Sequence, residues 1–284
     1  MNKQKAEGPW KNRPALKLVK GFLLILFLLW TLFPLYWMFI TSFKTRQEIY
    51  GSVTLWPHTF VLSNYTDAFK TSHFGRYIGN SLYVTLLSSS IILLVSLLGG
   101  YGLARYNFKG KNLIMMIFLV SQMIPLVVAI IPMYVIYGKL GLIDNLNSLV
   151  ISYTVANVPF CLITMSSFYK GISPALEEAA MIDGCSRFQA VVRVIIPLLA
   201  PGLVAVFVFA FTGCWNELYY AIMMINSEEH RTIPVGLMSF VQKFDVNWGS
   251  ITASATVTLI PVVVMFLMVQ KHIVAGMTAG AVKE

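Results

Sequence analysis

Charge is what this sequence has least of. Only 12% of its 284 residues are Asp, Glu, Lys or Arg, about half the share found in a soluble domain, so a water-facing surface of ordinary size is excluded. Cysteine is close to missing: Cys161, Cys185 and Cys214 stand far apart, with neither disulfide nor metal-ligand spacing. The four histidines are equally dispersed, so no metal site is indicated. P-loop and nucleophile-elbow patterns are also absent, and the chain therefore cannot hydrolyse ATP alone, has no catalytic residues to assign and needs no cofactor of its own. Its net charge is +9, but the basic residues do not gather into a patch that would hold nucleic acid. Membrane topology explains them better.

Hydrocarbon is what the sequence has in excess. Hydrophobic residues make up 57% of it and the mean hydropathy is +0.72. A bilayer core of roughly 30 Å takes about 20 apolar residues to cross. Six stretches qualify, near 20–42, 78–104, 113–137, 148–168, 199–225 and 251–270. The fold class expected is all-α, a polytopic membrane protein with six transmembrane helices. The first stretch, apolar from Gly21 to Ile40 with no small-x-small site after it, is too long for a signal peptide. Of the 21 Lys and Arg, 14 fall on the side shared by the two termini and the loops after the second and fourth spans. By the positive-inside rule that side is cytoplasmic.

The domain organisation follows. Residues 1–19 form a basic cytoplasmic leader suited to lie against anionic lipid, and residues 20–284 form one transmembrane domain. The outer loop 44–77 has no strand alternation. The third span carries Gln122, Pro125 and Pro132, and the fourth carries Asn157 and Pro159. Irregular backbone survives in lipid where protein or a water-filled cavity covers it, so these helices either border a path or are plain kinks packed on neighbours. The fifth span holds Trp215-Asn216-Glu217. A carboxylate within a span marks a candidate functional site, and Trp beside Asn suits a sugar, ring face to C–H groups and amide to hydroxyls. The other reading is an interfacial Trp belt with a snorkelling acid.

The loop 169–197 is the long polar interruption. Ser173 can cap a short helix with Pro174 at its first position. Glu177 and Glu178 suit its positive end, and Gly184 after Asp183 supplies the left-handed residue that ends it. Ala179 and Ala180 leave room for another surface to come close. Ser186 with Gln189 forms a capping box for a second helix, which Pro197 limits. A helix lying on the membrane would be rich in Lys and Arg; this one carries three acids. It reads as a docking peg.

Glu177-Glu178-Ala179-Ala180, then Asp183-Gly184, then the apolar run to Pro197 resembles the EAA loop of binding-protein-dependent ABC importer permeases. Phe33-Pro34, Ser42-Phe43-Lys44, Asn80-Ser81, Gly100-Tyr101-Gly102-Leu103-Ala104-Arg105, Phe108-Lys109-Gly110-Lys111, Pro132-Met133-Tyr134, Thr232-Ile233-Pro234-Val235-Gly236 and the tail from Gly276 to Lys283 are similar to its carbohydrate-uptake branch, the maltose-transporter type with a smaller permease. Cys185 departs from that pattern, where the family often has Ala. The resemblance implies a type I ABC importer permease fold in a bacterial inner membrane. It also implies a second permease, two copies of a cytoplasmic ATPase that bind the ATP and Mg, and an extracytoplasmic solute-binding protein. Glu177, Glu178, Ala179, Ala180, Asp183 and Gly184 would couple to the ATPase; Trp215-Asn216-Glu217 is also similar to that branch, and on the reading of the spans given above Trp215, Asn216, Glu217, Gln122 and Asn157 would border the substrate path. An importer of a non-sugar solute and an ion-coupled secondary transporter are the alternatives.

Overall fold

The structure, a computed structural model, describes residues 14–70, 73–241 and 246–280. Most of the basic leader, residues 1–13, and the end of the tail, residues 281–284, lie outside it. Among the described residues there is no β-strand, only a single antiparallel bridge between Val241 and Val246.

In chain order, α1 (Pro14–Thr41) leads to two short helices, α2 (Arg46–Tyr50) and α3 (Ser63–Lys70). The long α4 (Phe74–Arg105) is followed by α5 (Lys111–Ser121), α6 (Leu126–Lys139) and α7 (Leu146–Lys170). Then come α8 (Ala175–Ile182), α9 (Arg187–Ala190), a π-helical turn (Val191–Ile195), α10 (Ile196–Leu198) and α11 (Ala200–Trp215). The chain closes with α12 (Tyr219–Met224), a 3₁₀ turn (Glu228–His230), α13 (Ile233–Met238) and α14 (Trp248–Gly280).

Among the described residues four helices are long and apolar enough to cross a membrane, and the number reaches six if each of two bent helix pairs is counted as one span. The expected third span, 113–137, is not one rod: α5 and α6 meet at 100° across residues 122–125. Pro125 causes the break, because it offers no amide to the helix and biases the residue before it towards extended backbone. The expected fifth span, 199–225, likewise ends as a helix at Trp215 and resumes as α12. Before it, residues 187–198 meet α11 at 73°. Pro197 cannot donate to the carbonyl four residues back, and the turn ahead of it widens to π-type bonds such as Ile196 N–H to Val191 O. By contrast Pro34, Pro132, Pro159 and Pro261 stay inside helices.

The centre of the molecule is the α4–α7 pair, with α11 packed on both. In lipid, helices associate through close contact of small residues, and this interface buries Ser88, Ser89, Ser96, Ser152 and Ser166. Ser89 and Ser152 return their hydroxyls to the carbonyls of Thr85 (2.6 Å) and Ser148 (2.7 Å), which spares the membrane interior a loose donor. Gly100 lies at the crossing, where an added Cβ would sit 2.9 Å from Met165 Cγ and 3.1 Å from the Ser166 amide. Gly100→Val must therefore separate the two helices, with an expected loss of about 1–3 kcal/mol. The check is the melting temperature in mild detergent; an unchanged value would show that the helices do not need this approach. At the end of the bundle away from α8, a second cluster gathers Phe74, Tyr77, Phe211, Trp215, Ile233 and Phe240.

Candidate functional site

The loop between α7 and α11 folds locally as its residues require. Ser173 Oγ accepts from the Ala175 amide at 3.4 Å, and Glu177 and Glu178 occupy the first turn of α8. The helix ends in a complete Schellman motif: the Gly184 amide reaches Met181 O at 3.1 Å and the Cys185 amide reaches Ala180 O at 3.0 Å. Gly184 has φ +90° with nothing near the position of a side chain. Ser186 and Gln189 form the reciprocal capping box.

The two acids of α8 have different surroundings. Glu178, Ala179 and Asp183 face outward with Leu176 and Ile182, whose side chain is 85% exposed. Glu177 and Ala180 turn inward. The Glu177 carboxylate meets Arg105 Nε at 2.5 Å and accepts from the Tyr101 hydroxyl at 3.0 Å. Both charged side chains are nearly buried, 8% and 7% exposed. Arg105 is the last residue of α4. Its two terminal nitrogens donate to the carbonyls of Tyr169 and Ile172, each at 3.0 Å, at the C-terminus of α7, where a cation is favoured. One guanidinium thus fastens three elements: α4, α7 and α8. The fork geometry of arginine makes this possible. Around it the Tyr101 ring lies edge-on to Tyr169 at 5.5 Å and to Tyr106 at 6.0 Å, and Arg187 reaches the Tyr106 hydroxyl at 3.2 Å.

The residues expected along a substrate path separate into two groups. Trp215 is only 2% exposed and stacks on Phe211 at 5.7 Å, 12° between planes. It has no open face for a sugar ring in this conformation. The Glu217 carboxylate accepts the amides of Tyr220 (3.0 and 3.1 Å) and Ala221 (3.3 Å), so it caps the start of α12. Asn216 and Gln122 are exposed and Asn157 is half-buried. Gln122 donates to Ala156 O at 3.3 Å and Asn157 to Tyr153 O at 2.8 Å. The Asn157 amide oxygen also faces Gly213, at 3.1 Å from where its Cβ would be. These three amides remain open to solvent or a ligand.

At the same end, Asp144 ties the α6–α7 turn to the 226–230 segment. Its carboxylate accepts the amides of Ser227 (2.8 Å) and Asn226 (3.0 Å) and lies 3.6 Å from His230 Nδ1. Burial pushes its pKa up, but the Ser227 and Asn226 amides outweigh this and hold it below the ordinary aspartate value. The stabilisation is therefore complete above the ordinary carboxylate range and fades as pH falls through the lowered value.

Arg105, Tyr101 and Tyr169 were not singled out from the sequence. Tyr101 and Arg105 stand there only inside a stretch of likeness, and Tyr169 not at all. One signal was available: Arg105 closes the second span on the side expected for Glu177, and a cation at the end of a span facing an acid-bearing peg is a candidate partner.

The chain is similar to known proteins over most of its length. The family model described as "Binding-protein-dependent transport system inner membrane component" matches residues 92–279. The chain is 38% identical over 252 residues to the diacetylchitobiose uptake system permease protein DasC of Streptomyces coelicolor, covering 88% of this chain and 91% of that one. It is 36% identical to the sulfoquinovosyl glycerol transport system permease protein SmoH of Agrobacterium fabrum, covering 89% of each. With the trehalose/maltose transport system permease protein MalG of Thermococcus litoralis it shares 33% identity, over 89% of this chain and 91% of the relative. A crystal structure of a bacterial ABC transporter involved in the import of the acidic polysaccharide alginate contains a chain of the same fold, with TM-score 0.77, 24% identity and coverage of 93% and 99%.

Proposed function

Because the chain belongs to the family of binding-protein-dependent transport system inner membrane components, we propose that it is the permease subunit of a sugar importer and that α8 docks on a cytoplasmic ATPase. Permease subunits of this family are membrane parts of ABC transporters and not catalysts. The names of DasC, SmoH and MalG support a sugar or oligosaccharide as the solute. A second permease, two ATPase copies that hold ATP and Mg, and an external binding protein complete the assembly. A related complex carrying an alginate pentasaccharide-bound periplasmic protein, whose matched chain has TM-score 0.61 and 18% identity, supports the last of these. Both termini and α8 face the cytoplasm, and residues 20–284 form the transmembrane domain.

The observation that carries the reading is the joint at Arg105. A peg hanging on a flexible loop would absorb any push from an ATPase. Here the outward face of α8 presents Leu176, Ala179 and Ile182 to a partner, while Glu177 on the inward face is bound to α4 and, through Arg105, to α7. When ATP closes the ATPase pair, α8 moves as a rigid piece and takes the central helix pair with it. The spans rock from inward-facing to outward-facing, the binding protein releases sugar, and hydrolysis resets the state. The loaded binding protein shifts this equilibrium only by binding the outward state better. In this scheme Glu178, Ala179, Asp183 and Gly184 meet or shape the ATPase groove, and Glu177 and Ala180 face the permease. Asn216, Asn157 and Gln122 border the path, and Trp215 and Glu217 hold its wall.

The test is to purify the tagged chain from its native membrane in mild detergent and identify what accompanies it. A second permease and an ATPase are expected, with ATP-dependent sugar uptake after reconstitution. A chain that purifies alone and moves solute on an ion gradient without ATP would overturn the reading.

A further inference from the structure

The end of the bundle opposite α8 contains a cavity that the transport scheme does not use. It holds about 450 Å³ between the last turns of α1, the α2 segment and the first turns of α14. Most of its wall is apolar, with Pro34, Met38, Ile49 and Val53 beside the indoles of Trp37 and Trp248. Of the polar residues on the lining, which also include Ser52, Thr54 and Thr252, three matter here. Lys44 is 3% exposed, rests its ammonium 4.4 Å from the centre of the Trp37 ring and donates to Thr54 O. An ammonium has three donors, so the carbonyl does not saturate it. Thr41 Oγ1 is buried with no hydrogen-bond partner. Glu48 lines the cavity too, and the hydrogen bonds it receives, from Thr54 Oγ1 (3.0 Å) and the His58 amide (2.9 Å), both land on Oε1.

Lys44 and Glu48 therefore border one cavity without forming an ion pair with each other, and among the described residues no carboxylate lies within ion-pair distance of Lys44. Lys44 is the buried charge of the two, Glu48 being half-exposed, and buried charges are retained where something pairs them. A pair of opposite charges held apart suits a ligand that carries both signs. The apolar walls, and the exposed hydrocarbon of α1 and α14 that runs from this end, such as Leu35, Ile260 and Val263, suit one with long chains. Trp37 and Trp248 belong to the side-chain type that sits at headgroup level. We propose that the cavity binds the headgroup of a zwitterionic phospholipid with a primary amine, phosphatidylethanolamine. The phosphate takes Lys44 Nζ and the Thr41 hydroxyl, the amine takes Glu48, and the acyl chains follow the two helices. A sugar would supply hydroxyls but no charge to place against Lys44 and Glu48, and no hydrocarbon for the apolar part of the wall. The proposal needs only that α1 and α14 cross a membrane, so it stands or falls apart from the sugar reading.

The experiment is native mass spectrometry and lipid extraction of the assembled complex purified in mild detergent, followed by exchange into bilayer discs of defined composition. Wild type is expected to retain about one phosphatidylethanolamine per chain through this site. Lys44→Gln and Thr41→Val are each expected to lower its occupancy several-fold; Thr41→Val leaves the Lys44–Thr54 tie in place, so it decides the matter if the Lys44 variant does not assemble. Phosphatidylcholine, whose capped amine cannot donate to Glu48, is expected to compete at least tenfold more weakly. Equal retention of phosphatidylglycerol, occupation of delipidated protein by inorganic phosphate alone, displacement of the lipid by an oligosaccharide, or variants that keep the lipid unchanged would overturn the assignment.

Discussion

In an Arg105→Ala chain the Glu177 carboxylate keeps its burial and loses its cation, and sugar uptake by the reconstituted complex is expected to fall at least tenfold. The physical reason is the asymmetry of buried pairs: removing one partner strands the other and costs roughly 3–5 kcal/mol. Arg105 also satisfies the Tyr169 and Ile172 carbonyls, so its loss unties α8 from α7 and leaves the Tyr101 hydroxyl as the one side-chain bond that Glu177 keeps to α4. Arg105→Lys restores charge but not the fork, since an ammonium is a point donor, and is expected to recover only part of the activity. Glu177→Gln removes the charge while keeping the shape, and its effect should be milder than that of Arg105→Ala. The deciding measurement is a double-mutant cycle on detergent melting temperature together with uptake. Because the two side chains touch, the Arg105→Ala/Glu177→Ala double variant should be less damaged than the sum of the singles. ATPase activity that persists without transport would mark lost coupling rather than lost assembly. Strict additivity, or normal uptake with Arg105→Ala, would sink the three-way joint.

Gly184→Val is expected to lower uptake and stimulated ATPase activity strongly while the chain still assembles in the membrane. At φ +90° an L side chain is strained, on the order of 1–2 kcal/mol, and a β-branched one most. No atom lies within 4 Å of the position a Cβ would take, so within the chain the effect is purely one of backbone conformation. That sets an order, with Gly184→Asn near wild type, Gly184→Ala intermediate and Gly184→Val worst, because Asn tolerates left-handed backbone. Activities measured across the three variants check it. Asn and Val variants that are equally inactive would show that the partner's groove rejects any side chain there, and wild-type activity with Val would remove Gly184 from coupling.

What the sequence made legible was local. The Ser186–Gln189 box, the Gly184 terminus and the existence of the apolar stretches each depend on a few neighbouring residues whose chemistry allows little else. Sidedness was harder. Glu177 and Glu178 are adjacent and alike, and only the position of Arg105, 72 residues earlier, decides which of them turns inward. Trp215 was hard to place for a related reason: α11 is apolar on every face, so its composition gives no sign that the indole stacks on Phe211 instead of lining a cavity. The bend at 122–125 was half visible, since Pro125 was noted, but Pro132, Pro159 and Pro261 sit inside helices that continue through them. Whether a proline breaks a helix depends on what its neighbours cover, and that is a tertiary fact.

The exposed, apolar α1 finds its main helix partner in α14, and this has a consequence for how the chain is made. Thr41 and Trp248 are separated by about 200 residues, which a ribosome adds in roughly 10–40 s at ordinary elongation rates. Throughout that interval α1 exists without its companion, tethered to a chain still being synthesised. A product that stops short of α14 therefore keeps the apolar face of α1 without the helix that packs on it.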